Sequence, residues 1–73
     1  MKSDKQLLKD FLNRQTDSII KEYGYDTLLA IEFEEWANIQ KDIINKYPIM
    51  NYFDHMAFLE QMIRAFKAGY RIK

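Results

Sequence analysis

The sequence predicts an all-α fold: a three-helix bundle built from an antiparallel helical hairpin plus a third helix, forming one domain over residues 1–73. Three observations carry this expectation. Apolar residues recur at helical spacing in three stretches, near residues 4–23, 27–47 and 52–68. Turn chemistry separates them, Gly24 with Asp26 after the first and Pro48 with Asn51 after the second. The middle stretch, Thr27 to Tyr47, contains no glycine or proline and holds Trp36, the one tryptophan. As a helix it would be about 30 Å long, the span of a small domain, and so a natural spine.

In the first stretch, Ser3 and Gln6 fit a capping box, in which the serine oxygen accepts from the third helical N–H and the glutamine reaches back. Leu7, Leu8, Phe11, Leu12, Ile19 and Tyr23 make its apolar face. Gln15 falls within that face, as a hydrogen-bonded residue or one at a wet bundle end. Gly24 can supply the left-handed residue that ends many helices.

Asp26 can cap the second helix, and the short connection makes the first two helices an antiparallel pair. Leu28, Leu29, Phe33, Trp36, Ile39, Ile43, Ile44 and Tyr47 share one broad sector, wide enough for two neighbours. Glu34, Glu35, Asn38 and Asp42 form a solvated acidic stripe, and Ile31 also points outward. Glu32 falls among Leu28, Ile39 and Ile43. Because an unpaired buried carboxylate is costly, the hairpin's open edge is its expected place.

Pro48 ends the second helix and biases Tyr47 to an extended conformation. Asn51 then caps the third helix, with Asp54 near its positive end. Tyr52, Met56, Leu59, Met62, Ile63, Phe66 and Tyr70 form its core face, Glu60 and Arg64 stand four apart in the favoured order, and Gly69 is expected to stop it before a short tail to Lys73.

A chain this short buries only about 60% of the surface its unfolded form exposes, and there is no cysteine and one histidine to supplement it. Partnering with another chain is the remaining means of support. Eleven basic and eleven acidic residues cancel, which lacks the broad attraction of a strongly basic nucleic-acid binder. The balance is uneven, net −3 over 24–48 and net +2 over 49–73. The N-terminus shows no signal peptide and no apolar run reaches the ~18 residues of a spanning helix, so the expected location is cytoplasmic, with no membrane partner. Nine isoleucines, no valine and a lysine excess over arginine suit an AT-rich bacterial or phage genome.

Few residues offer catalytic chemistry. Ser3 and Thr27 sit at helix starts, Thr16 and Ser18 lie inside the first helix, and no spacing joins them to His55 as a triad. His55 falls in the sector of Leu59, Met62 and Phe66 and reads as a core histidine; without a second histidine or a cysteine there is no metal site. The sequence therefore points to no enzyme activity, no cofactor and no small-molecule substrate.

An interaction role rests on apolar residues left outside the bundle: Ile20, Ile31 and Phe53. Beside Phe53, the outward stripe Ala57, Gln61, Arg64 and Ala68 is lined partly by small side chains that would admit another helix. The expected function is a small regulator or inhibitor that occludes a partner surface and also self-associates as a homodimer. Ile31, Glu34, Glu35, Phe53, Ala57 and Arg64 are its partner-binding residues. The competing reading is a small DNA-associated regulator using Arg64, Lys67, Arg71 and Lys73, although the acidic Asp54 at the start of the third helix opposes phosphate contact.

Overall fold

A computed structural model describes the backbone of residues 2–71 and the side chains of residues 2–69. Three helices follow in order: α1 (Asp4–Tyr23), α2 (Leu28–Lys46) and α3 (Tyr52–Arg71). Consecutive helices run antiparallel and form a short rod of 37 × 19 × 19 Å. Its radius of gyration, 12.6 Å, exceeds the about 11 Å of a compact globule of this length.

The helix boundaries follow from local chemistry. Ser3 Oγ accepts from the Gln6 N–H at 3.2 Å. The expected box stays half closed, because the Gln6 side chain donates instead to Asp10 Oδ1 at 2.9 Å. Asp10 is a charged acceptor one turn on, and it also takes Lys2 Nζ at 2.6 Å. The lysine first and the glutamine second hold its carboxyl below the ordinary aspartate range.

Gly24 leaves α1 with φ +94° and ψ 140°, so the exit is through extended positive-φ backbone rather than the expected αL turn, and its N–H donates to the Ile20 carbonyl at 2.8 Å. Thr27, not Asp26, caps α2. The threonine hydroxyl accepts from the Ala30 N–H at 3.2 Å and donates to the Gly24 carbonyl at 2.7 Å, two bonds that an aspartate one residue earlier is not positioned to make. Tyr47 is extended, as a residue before proline should be, and Asn51 Oδ1 accepts from the Asp54 N–H at 3.1 Å to start α3.

Gly69 does not stop α3, which continues to Arg71. Among the described residues only Gly24 has positive φ; Gly69 keeps negative φ and the helix runs through it. The two glycines should respond oppositely to alanine. Gly24→Ala forces a side chain into positive φ with its Cβ 3.2 Å from Asp26 Oδ1, and should cost about 1–2 kcal/mol. Gly69→Ala meets nothing within 4 Å and should add about 0.5–1 kcal/mol of stability. Thermal melts of the two variants check this.

The core consists of Leu8, Leu12 and Ile19 from α1; Leu29, Ala30, Phe33, Ala37 and Ile44 from α2; and Leu59 and Ile63 from α3. No polar or charged residue is buried among the described residues. The stripe that α2 buries is therefore rotated from the expected sector: Ala30 and Ala37 lie inside, whereas Leu28, Ile39, Ile43 and Tyr47 are exposed. The physical reason is helix spacing. Ala30 and Ala37, two turns apart, put small side chains on the face turned to α1 and let the two backbones approach.

That close pairing is stitched along one side by polar bonds. Lys41 Nζ donates to Asn13 Oδ1 at 2.8 Å, Lys9 Nζ to Asn45 Oδ1 at 2.9 Å, and Lys5 Nζ to the Asn45 carbonyl at 3.2 Å. The last of these sets a cation against an end-of-helix carbonyl, complementing the α2 dipole. With α2 turned toward α1, Leu7 and Met62 also come out of their expected core positions, and Ile20, expected outside, packs against the core. The Tyr70 side chain lies outside the described residues.

Candidate protein-binding face

α3 rests on the α1–α2 pair through Leu59 and Ile63, and three rings pin one end of its hairpin with α2. Phe33 and Phe66 meet edge to face with centroids 5.5 Å apart, and Trp36 lies 5.5 Å from Phe33 and 6.2 Å from Phe66. These are favourable aromatic geometries. The other end of the hairpin, beside the Tyr47–Asn51 turn, opens into a groove of about 580 Å³. Gln40 and Ile43 form its α2 wall, Asp54, His55 and Phe58 its α3 wall, and Pro48 and Met50 its mouth.

The groove is the low point of a longer apolar strip. Along α2, Ile39 and Ile43 lie one turn apart and are 58% and 39% exposed; along α3, Phe58 and Met62 do the same at 49% and 37%. Met50, in the turn, is 90% exposed. The whole chain exposes 5308 Å², against about 4800 Å² for a folded monomer of 8.9 kDa. Among the described residues eleven large apolar side chains are exposed, against eight buried and eight partly buried against the core. The five side chains of the strip give the protein an apolar patch on one face of the α2–α3 hairpin.

Polar groups in the groove do not converge on a single point. Asn51 Oδ1 is already taken by the α3 backbone. The His55 ring, half-buried, stands edge to face against Phe58 at 6.4 Å, contributing to the apolar wall instead of the core position expected for it. Among the described residues no three His, Asp or Glu side chains gather as a metal-binding group. Nor is any helix long and apolar enough to cross a membrane.

The residues singled out in the sequence all reach solvent, but they do not form one patch. Ile31, Glu34, Glu35, Phe53, Ala57 and Arg64 are exposed. At about 100° per residue Glu34 lies opposite Ile43 on α2 and Ile31 about 120° from it, while Glu35 borders the strip beside Ile39. Phe53, its ring against Tyr52 at 5.4 Å, is turned about 140° from Phe58. Ala57 and Arg64 line a shallow recess with Glu60 and Gln61, and Glu60 forms no ion pair with Arg64. Glu32 is exposed, on the strip side of α2.

For the basic set, Arg64 and the half-buried Lys67 share a cleft with Phe11, Gln15, Glu60 and Ile63, so an acid sits among the cations. The Arg71 side chain and Lys73 lie outside the described residues. Sequence reasoning missed Met50 and Phe58, and it assigned Ile39, Ile43 and Met62 to the core. The available signal was width: the apolar sector of α2 is broader than two small neighbouring helices can cover. Compared with protein families, characterised proteins and solved structures, the chain matches no family model and shows no significant similarity to any protein or structure in either set.

Proposed function

We propose that this chain is a small, non-enzymatic protein–protein interaction module whose working surface is the α2–α3 strip of Ile39, Ile43, Met50, Phe58 and Met62. It acts in the cytoplasm as a regulator or inhibitor, laying a rigid helical hairpin over a complementary apolar surface and occluding it. The single observation behind this reading is the continuity of that strip across two helices and their turn. Helix-in-groove recognition uses anchors at the i, i+4 spacing shown by Ile39 with Ile43 and by Phe58 with Met62. A desolvated aromatic at the centre, here Phe58, is the usual energetic anchor.

A photo-cross-linking amino acid tests the surface directly. Placed at position 58 and activated in the expressing cell, it should give a discrete protein adduct; placed at position 34, on the opposite side of α2, it should give none. Adducts from 34 and none from 58 would overturn the assignment.

A further inference from the structure

We infer that the occupant of the α2–α3 strip is a second copy of this chain, joined about a two-fold axis at the level of Ile39 so that α2 packs antiparallel on α2. This rests on the strip being a protein-binding surface, and it adds the occupant and its register; the strip is then open to a different protein only in the dissociated chain, so self-association and occlusion of another surface compete.

Area is the first argument. At roughly 200 Å² for a fully exposed large side chain, Ile39, Ile43, Met50, Phe58 and Met62 at their observed exposures present about 550 Å². That is about two thirds of the about 800 Å² per partner of a standard interface, in keeping with a dimer that comes apart on dilution.

Charge is the second. Glu32 and Lys46 each lie seven residues from Ile39, about 10 Å along the helix and within about 20° of it around the axis. A two-fold axis at Ile39 therefore brings Glu32 of each copy opposite Lys46 of the other, and Ile39 against its own symmetry mate. Lys46 now pairs with Asp42 at 3.0 Å, with both side chains largely exposed. Such a pair is weak enough to be exchanged.

The same axis satisfies α3. Phe33 and Phe66 touch across the antiparallel hairpin, which puts residue 60 of α3 level with Ile39. Phe58 and Met62 flank residue 60 equally, so the axis sets Phe58 of one copy against Met62 of the other. Sulfur–aromatic contact of this kind is favourable. An interface between identical patches must be self-complementary about its axis. Here the apolar, aromatic and charged pairings are satisfied by one axis position.

The test is sedimentation equilibrium of the full chain across a hundredfold dilution. Wild type should be a dimer at the upper end and dissociate on dilution. Ile39→Asp, at an exposed site, should give a monomer with unchanged helical circular dichroism, whereas Phe53→Asp should leave the dimer intact. Glu32→Lys and Lys46→Glu should each weaken association roughly tenfold, through two like-charge contacts per dimer, and the double reversal should restore most of it. A single-chain mass at every concentration overturns the proposal, and so does a double reversal that fails to recover. If the mass is that of one chain while position 58 still cross-links to a different protein, the strip remains a binding surface and only the second copy is wrong. If position 58 gives no adduct at all, the surface itself is wrong.

Discussion

Phe33→Ala is expected to remove most of the stability of the fold. The ring is fully buried, belongs to α2 between α1 and α3, and is the hub of the contacts with Trp36 and Phe66. Truncating a buried phenylalanine costs about 3–5 kcal/mol, from lost transfer energy and from the cavity left behind. A domain of this size has about 4–11 kcal/mol in total. The melting temperature should fall by roughly 15–30 °C, measured by circular dichroism at fixed chain concentration. A fall of only a few degrees would show that α3 closes the cavity, and hence that it is not held in place by the aromatic cluster.

Ala37→Leu should also be damaging, though less so and for the opposite reason. Ala37 is 1% exposed on the α2 face turned to α1, on the side where Lys41 reaches Asn13. Three added heavy atoms have no space between two backbones drawn together by small residues. Overpacking of this kind costs about 1–3 kcal/mol. The expected result is a drop in melting temperature of roughly 5–20 °C, despite a substitution that raises hydrophobicity and leaves helix propensity almost unchanged. The same change at exposed Ala57, on α3, should have little effect on stability.

These two positions also show what was legible in the sequence. Helix number, order and most limits could be read because they depend on local signals: Ser3 and Asn51 cap through their own side chains, Gly24 and Pro48 act through their own backbones, and apolar periodicity marks the lengths, whereas the end of α3 and the capping residue of α2 were misplaced. Phe33 was legible as core because a large ring flanked by other apolar residues has few other places to go. Ala30 and Ala37 were not, since an alanine is buried here for what it lacks, and a helical wheel weighted by hydrophobicity sees nothing at such a site.

That omission propagates to the function. Once the small residues take the face toward α1, Ile39 and Ile43 must turn outward, and the candidate binding strip appears where the periodicity had put core. Phe53, by contrast, was legible as exposed from α3 alone. The sequence located surplus apolar surface but not its place, because the place depends on the rotation of α2 about its own axis, which no local signal encodes.

The two connections in this fold, Gly24–Thr27 and Tyr47–Asn51, are short, and every helix packs against its neighbour in the chain. Closing such loops takes little entropy, and topologies dominated by nearby contacts fold in microseconds to milliseconds. The α1–α2 pair closes through the Gly24–Thr27 connection alone, without waiting for α3. Monomer folding is then essentially instantaneous on the scale of protein encounters. For the dimer proposed above, the slow event is therefore the encounter of two copies, at a rate set by how much of the chain the cell makes.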